Sequence, residues 1–194
     1  MNNKIIISSG KYKEVYFAVA HCDHAIISSS LGRIHEEEAL EDIYEFIEGK
    51  NQPYIQLDIL DVLDINNSKN KSENNQKLIK KVGKYYYGEN SKNNELKFNE
   101  KENFNIKVLK EVSKIPYGEF RTYKEIGESI GTNGYRAVGN ALNKNPLPLF
   151  IPCHRVVKSN MTIGGFRGGL EMKKELLKRE GIKFQGNKII RNKK

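Results

Sequence analysis

The sequence has little cysteine and no long apolar run, and these two absences exclude several classes of protein. The only cysteines are Cys22 and Cys153, which can form at most one disulfide. We therefore expect reduced thiols and a cytoplasmic protein rather than a disulfide-stabilised secreted one. A bilayer-spanning helix needs about 20 consecutive apolar residues. No run approaches that length, so we expect no membrane association, and the short apolar run near the N-terminus predicts no secretion signal.

Acidic and basic residues are distributed unequally between the two halves of the chain. Residues 1–102 hold 14 Lys and Arg against 17 Asp and Glu, whereas residues 103–194 hold 19 against 7. A strongly basic half indicates a polyanionic partner such as nucleic acid. The alternative is a generally lysine-rich surface with a basic C-terminal tail, residues 185–194.

The first half of the chain has the pattern of a small α+β domain. Runs rich in Ile, Val, Tyr and Phe predict strands at residues 4–8, 12–20 and 25–29. Apolar residues at helical spacing predict a helix over residues 35–49. Residues 54–65 alternate less cleanly and predict a further strand.

Polar, Asn-rich and Lys-rich segments predict where this first domain ends. Residues 66–76 contain no apolar side chain and predict a flexible loop. A short helix is predicted over residues 77–87. The sequence therefore predicts four parts: an N-terminal domain (1–88), a linker (89–102), a second domain (103–184) and a basic tail (185–194).

The second half begins with signals for three helices. An apolar stripe starts at Phe104, and Thr122 followed by Glu125 is a capping-box pattern that opens a helix over residues 123–130. A turn containing glycine separates it from a helix over residues 135–143. This arrangement is typical of a helix-turn-helix, although a plain helical corner within a core is the more common structure.

The second of these two helices has mostly small side chains. It presents Ala137, Gly139 and Ala141, with one long cation, Arg136, near its start. Small side chains allow a backbone to approach DNA closely, and a single arginine can fill the gap left by an extruded base. Close packing between helices is the alternative explanation.

A proline-rich segment, residues 145–157, carries the candidate nucleophile. Its three prolines exclude a helix and predict an extended, largely apolar strand that presents Cys153 and His154. Nearby positive charge would favour the thiolate, the reactive form of cysteine. Because neighbouring residues of a strand point to opposite faces, contact between these two side chains requires an irregular backbone or a bridging water. A buried, inert cysteine is the alternative.

Several short motifs in order resemble one family. They are IPYGE (115–119), TY (122–123), RAVG (136–139), NP (145–146), IPCHRV (151–156) and GGL (168–170). Together they resemble the O6-alkylguanine-DNA alkyltransferases over residues 103–183. The resemblance implies an α+β protein with a small ribonuclease H-like N-terminal domain and a mostly helical, helix-turn-helix-containing C-terminal domain.

The resemblance also implies a reaction with double-stranded DNA that contains O6-alkylguanine. Cys153 would attack the alkyl carbon, His154 would accept the thiol proton through a water, and Tyr123 would help the guanine to leave. Asn145 would tie the backbone around the cysteine, and Arg136 would replace the flipped base. The alkyl donor is the DNA itself, so no cofactor or metal is implied, and each molecule, acting as a monomer, would react once.

Further residues are assigned by the same resemblance. The implied DNA contacts are Thr122, Tyr123, Lys124, Arg136, Ala137, Gly139 and Ser159. The implied lining of the base pocket is Tyr123, Pro148, Val156, Phe166 and Arg167.

Three positions depart from the family pattern. The family has a glutamate on the final helix that hydrogen-bonds the histidine, but the matching residue here is Lys174. Glu175 follows one step later, about 100° around the helix. Either Glu175 reaches His154 through a local shift, and so joins the catalytic residues, or His154 is oriented differently. The turn at residues 131–135 is short, and Phe166 stands where the family often has tyrosine.

Other candidates have simpler explanations. The run His21-Cys22-Asp23-His24 suggests a metal site but lacks well-spaced ligands, so ordinary strand-end residues are expected. Residues 85–87, three consecutive tyrosines, are expected to pack rather than to stack on bases.

Three other functions fit parts of the sequence. A damage-binding protein of the same family without transfer activity is favoured only by Lys174. A transcription regulator would use the helix pair but not the buried cysteine segment. A cysteine hydrolase has no supporting constellation in the sequence.

Overall fold

The computed structural model describes residues 5–22, 25–48, 57–58, 71–89, 98 and 102–190. The chain divides into two compact units. The first contains the chain up to residue 90 together with the later segment 146–150, and the second contains residues 102–145 and the chain from residue 151 onward. Within the described residues, no helix is both long and apolar enough to cross a membrane.

The first unit is built on an antiparallel sheet. Its strands are β1 (Ile6–Tyr12), β2 (Val15–Cys22), β3 (Ala25–Ser29) and β4 (Leu57–Asp58), in the order β1-β2-β3-β4. The predicted strand 12–20 therefore began too early. Tyr12 pairs with Val15, so the hairpin turn lies between them, where Lys13 has a φ of 52°. The remainder of the predicted strand 54–65 lies outside the described residues.

Two helices pack on this sheet: α1 (Glu36–Glu48) and α2 (Lys71–Tyr86). The helix predicted over residues 35–49 is confirmed as α1. The loop predicted over residues 66–76 is wrong from residue 71 onward, because α2 begins there. Buried Leu78, Ile79 and Val82 fix one face of α2 to the unit, and this packing overrides the low helical preference of the preceding asparagines.

The second unit is mostly helical. Its helices are α3 (Phe104–Ser113), α4 (Tyr123–Ser129), α5 (Tyr135–Asn143) and α6 (Gly169–Arg179), with a 3₁₀ turn at Cys153–Arg155. The capping box is confirmed: the Thr122 hydroxyl accepts from the Glu125 amide, and the Glu125 carboxylate accepts from the Thr122 amide. Helices α3, α4 and α5 pack against one another.

Four short strands, in two pairs, complete the second unit. Strand β5 (Arg121–Thr122) pairs in parallel with β6 (Val156–Val157), and β7 (Phe184–Gln185) forms a hairpin with β8 (Lys188–Ile189). Ile189 is buried against Val157 and Leu177. The second unit therefore continues past residue 184, where the sequence predicts that a tail begins, and residues 191–194 lie outside the described residues.

The architecture agrees with the expected mixed α and β class: a small antiparallel sheet comes first in the chain, and helices dominate the rest.

Candidate functional site

The backbone around Cys153 is a tight turn, not the extended strand that the sequence predicts. The Cys153 amide donates to the Ile151 carbonyl at 2.8 Å, and the Arg155 amide donates to the Pro152 carbonyl at 2.9 Å. Leu149, four residues earlier, has a φ of 77°, a left-handed conformation that bends the chain. The prolines exclude a long helix but not a single 3₁₀ turn, and the irregular backbone considered in the sequence analysis is therefore present.

Asn145 ties this turn together. Its buried amide nitrogen Nδ2 donates to the Ile151 carbonyl at 2.9 Å and contacts Cys153 Sγ at 3.2 Å. Burial raises the pKa of the Cys153 thiol, and the Asn145 hydrogen bond and the charges of Arg167 and Lys173 offset only part of that rise. The sulfur therefore rests as a thiol, and a base is needed to form the thiolate.

The buried imidazole of His154 has one hydrogen-bond partner in the part of the chain that the structure describes. Its Nε2 lies 2.8 Å from Oε1 of Glu180. A carboxylate can only accept, so Nε2 carries the hydrogen and Nδ1 keeps a lone pair. Nδ1 is buried and has no hydrogen-bond partner among the described residues. Burial lowers the pKa of His154 despite the opposing effect of Glu180, so the imidazole is neutral and suited to accept a proton.

Glu180 therefore replaces Glu175 as the partner of His154, and the prediction for Glu175 is wrong. Glu175 is exposed and pairs with Lys178 at 2.8 Å. Five positions along a helix correspond to about 140° of rotation, so Glu175 lies on a different side of α6. One signal pointed to Glu180: an acid at a helix C-terminus opposes the helix dipole, and such a local conflict suggests a specific partner.

Glu180 is held by more than His154. Arg155 Nε donates to both carboxylate oxygens, at 2.8 and 3.1 Å, and the Gly118 amide donates to Oε2 at 3.2 Å. Burial alone would raise the pKa of Glu180, but the hydrogen bonds from His154 and Arg155 and the charge of Arg155 lower it overall. The carboxylate is therefore ionised and fixed in position.

Lys173 is a site residue that the sequence analysis missed. It is fully buried, and its Nζ donates to the Val156 carbonyl at 2.6 Å and the Gly165 carbonyl at 3.3 Å. Burial lowers its pKa to about 8, although the negative charge of the Cys153 thiolate opposes this when the thiolate is present. The sequence did hold a signal for this role: Lys173 lies in the apolar stripe of α6, three positions before buried Leu176. A lysine at such a position is expected to have hydrogen-bond partners, because lysine is almost never fully buried without them.

Tyr123, at the start of α4, belongs to the same site. Its ring lies 5.9 Å from Lys173 Nζ, and its hydroxyl is 3.5 Å from the Gly165 carbonyl. Burial, followed by the charge of Cys153, raises the pKa of Tyr123. Gly164 has a φ of 75°, and a Cβ there would stand 3.1 Å from the tyrosine ring. A glycine is therefore needed for Tyr123 to lie where it does.

The predicted DNA contacts divide by exposure. Lys124, Arg136, Ala137 and Ser159 are exposed, and Gly139 is half-buried with Tyr123 below it, 3.7 Å from where a Cβ would be. The Thr122 side chain is buried and occupied in the helix cap, so this side chain is not exposed for contact with DNA. Ala141 is buried, which makes it a packing residue.

The predicted pocket residues are placed as follows. Val156 is fully buried, Phe166 is half-buried and Arg167 is exposed, and Arg167 acts electrostatically on Cys153. Pro148 belongs to the first unit, where its carbonyl accepts from Ser29 Oγ at 3.2 Å.

Two minor predictions concern the first unit. His21 Nε2 lies 3.0 Å from Ser8 Oγ, and Asp23 and His24 lie outside the described residues. Across the described ranges, no group of three His, Cys, Asp or Glu side chains could hold a metal ion. The three tyrosines make aromatic packing contacts, as expected: Tyr85 with Phe150, Tyr86 with Phe17, and Tyr87 with Tyr12.

Comparison with known families places the similarity in the second unit. Residues 103–182 match the family model for the DNA-binding domain of 6-O-methylguanine DNA methyltransferase. Methylated-DNA–protein-cysteine methyltransferase of Metallosphaera sedula is 46% identical over 105 residues, covering 54% of this chain and 66% of the relative. The protein of the same name from Sulfolobus acidocaldarius is 40% identical over 108 residues, covering 56% and 68%. The alignments thus span about two thirds of these relatives.

Two solved structures share the fold over nearly the whole chain. O6-methylguanine DNA methyltransferase from Methanococcus jannaschii aligns with a TM-score of 0.59 and 29% identity, covering 96% of this chain and all of that one. The O6-methylguanine-DNA methyltransferase of Pyrococcus kodakaraensis aligns with a TM-score of 0.63 and 24% identity, covering 92% and all of its chain. The similarity in fold therefore includes the first unit, which the sequence motifs do not reach.

Proposed function

The chain belongs to the methylated-DNA–protein-cysteine methyltransferase family, and we propose on that premise that it repairs DNA by direct reversal. It transfers the alkyl group from O6-alkylguanine in double-stranded DNA to Cys153. The observation that carries this proposal is a half-buried cysteine followed, in one tight turn, by a buried histidine whose Nε2 is held by the Glu180 carboxylate at the end of α6.

The first step is removal of the thiol proton. Glu180 fixes the ring of His154 and leaves the Nδ1 lone pair as the acceptor. A water between Nδ1 and Cys153 Sγ passes the proton to the imidazole. The resulting imidazolium is stabilised by the Glu180 carboxylate, which is why the pair needs to be buried and fixed before the substrate arrives.

The second step is displacement at a saturated carbon. A bond forms between Cys153 Sγ and the alkyl carbon, the bond from that carbon to guanine O6 breaks, and the electron pair moves to the base. Tyr123 donates a hydrogen bond or proton to the departing guanine. Burial raises the pKa of Tyr123, which keeps its hydroxyl protonated for this role. The positive charge of Lys173 acts on Cys153 and lies 5.9 Å from the centre of the Tyr123 ring.

The chemistry makes each molecule single-use. A thioether has no good leaving group, so water cannot regenerate the thiol. The donor is the damaged DNA, and the acceptor is the protein, so the reaction balances without a cofactor. It requires a reduced Cys153, in keeping with a cytoplasmic protein.

DNA is bound by α4 and α5, which act as a helix-turn-helix. Lys124, Arg136, Ala137 and Ser159 lie on the exposed surface. Arg136 takes the place of the flipped guanine, and Phe166, Arg167 and Val156 line the pocket that receives it. The second unit forms the DNA-binding and alkyl-acceptor domain, and the first unit forms a ribonuclease H-like supporting domain.

A label-transfer assay tests the proposal. The full-length protein is incubated with a duplex containing radiolabelled O6-methylguanine, and the label bound to protein is counted. Wild type is expected to accept one methyl group per molecule and Cys153→Ala none. Cys22→Ala is the matched control, because Cys22 is the buried cysteine of the other unit, and it is expected to retain full transfer. Duplex binding by wild type without label transfer would favour the damage-binding alternative.

That alternative loses its one supporting feature. It rested on Lys174 in place of the glutamate that orients the histidine. Glu180 supplies this carboxylate at 2.8 Å from His154 Nε2, so the site retains its base.

A further inference from the structure

Arg155 and His154 share one carboxylate. Oε1 of Glu180 accepts from His154 Nε2 at 2.8 Å and also from Arg155 Nη2 at 3.0 Å, and Oε2 accepts from Arg155 Nε at 2.8 Å. The side chains of Arg155 and Glu180 are each only 6% exposed. The Glu180 carboxylate therefore interacts both with the imidazole of His154 and with the guanidinium of Arg155.

Arg155 is itself held rigidly. Its Nη1 donates to the Ile115 carbonyl at 2.7 Å, and its guanidinium carbon lies 5.7 Å from the centre of the Tyr117 ring. The Tyr117 hydroxyl in turn donates to the Arg179 carbonyl at 2.8 Å, next to Glu180. The turn that carries Tyr117 and Gly118 thus fixes both members of the ion pair.

We propose that Arg155 is a positioning residue for alkyl transfer: by holding both oxygens of Glu180 it fixes the carboxylate against His154 and limits how strongly that carboxylate draws a proton onto the imidazole. This inference rests on the proposed function and assigns Arg155 a part in it. Stability alone gives little reason for such a pair, because well-packed apolar residues often replace buried ion pairs without loss.

The surrounding charges give the sign of the effect. His154 is influenced by burial first, then by Glu180, Arg155 and Lys173. The charge of Arg155 lowers the pKa of His154 and also that of Glu180. The pKa of Cys153 is raised first by burial and is then lowered in part by Asn145, Arg167 and Lys173. Removing Arg155 therefore raises the pKa of His154, so the imidazole becomes protonated, and unable to accept the thiol proton, at a higher pH.

The test separates positioning from folding by using the single-use chemistry. In a single-turnover experiment, the amplitude of label transfer counts folded, active molecules, and the rate constant reports on the site. Arg155→Met removes the charge, and Arg155→Lys keeps it. Arg33→Met is the matched control, because Arg33 binds Asp42 in the first unit with the same Nε and Nη2 geometry, at 2.9 and 2.7 Å.

For Arg155→Met we expect the rate constant to fall about tenfold, a part of the 10²–10⁴-fold that proton transfer contributes. We also expect the acidic limb of its pH profile to move to higher pH. Arg155→Lys is expected to restore the position of the limb and part of the rate. Arg33→Met is expected to leave both unchanged.

A second readout does not depend on DNA. Carboxamidomethylation of Cys153 by iodoacetamide is followed against pH, with Cys22 resolved by peptide mass spectrometry, and the same shift of the acidic limb is expected. If wild type takes no label from DNA, the proposed function fails, and this profile still tests Arg155. Identical profiles and rate constants for wild type and Arg155→Met overturn the inference, as does a loss of folded protein in both variants.

Discussion

The two units of this chain bury different kinds of polar side chain. In the described part of the first unit, the buried polar residues are serines: Ser8, Ser28, Ser29 and Ser30. In the second unit they include His154, Arg155 and Lys173. A buried serine can satisfy its hydrogen bonds with a small loss of stability, whereas burying a charged side chain costs much more free energy. Buried charged side chains are therefore concentrated at functional sites. The difference identifies the second unit as the reactive one, independently of the motifs.

The largest expected effect comes from neutralising Glu180. Glu180→Gln leaves His154 and Arg155 without their shared negative charge, so we expect the rate constant of methyl transfer to fall about a thousandfold, within the range for a lost general base. Single-turnover kinetics on O6-methylguanine duplex measures it. Asp42→Asn, the matching carboxylate in the first unit, is expected to leave the rate unchanged, and equal losses in both variants would remove the distinction between the units.

The second effect is on stability at alkaline pH. The pKa of Lys173 is about 8 in the folded protein and 10.5 ordinarily. Between these values the unfolded chain binds more protons, so the stability contribution of Lys173 increases as the pH rises. Relative to Lys173→Met, wild type should gain about 3 kcal/mol from pH 8 to 10.5. Urea unfolding of both proteins across this range checks it, and a constant difference would mean that Lys173 is not held in a dry environment.

Glu180 and Lys173, the residues of these two predictions, were harder to find from the sequence than other features of the molecule. The helix cap at Thr122 and the helical segment 35–49 follow from local patterns, because capping and amphipathic spacing involve only neighbouring residues. The cysteine, the histidine and Asn145 were found by motif. Glu180 and Lys173 were missed because their roles depend on how α6 packs. When the apolar stripe of a helix includes a lysine, the pattern of the sequence alone does not determine which side of that helix is buried. The 3₁₀ turn was missed because prolines restrict φ without specifying the turn.

The third effect concerns base flipping. Arg136→Ala is expected to slow transfer from duplex about tenfold, because the gap in the stack is then left unfilled and unstacking costs a few kcal/mol. Transfer from free O6-methylguanine base should be unchanged, since no base has to be extruded. Parallel kinetics on the two substrates checks this, and an equal loss on both would place Arg136 in the chemistry instead.

The smallest effect separates the exposed lysines of the two units. Lys124→Ala should weaken binding to duplexes of any sequence and reduce the slope of log K against log salt by about 1. Lys77→Ala is the matched control, because both lysines are exposed and pair with a glutamate four residues away along a helix. Fluorescence anisotropy titrations at several salt concentrations measure both slopes. A similar change for Lys77→Ala would indicate non-specific attraction to the whole surface.

One experiment addresses the central claim most directly. Folded, full-length protein is exposed to duplex DNA with and without O6-methylguanine, and each cysteine-containing peptide is then weighed by mass spectrometry. A single methyl group on Cys153, none on Cys22, and repaired guanine in the DNA is the predicted result. Folded protein that binds the damaged duplex and leaves Cys153 unmodified would contradict the account.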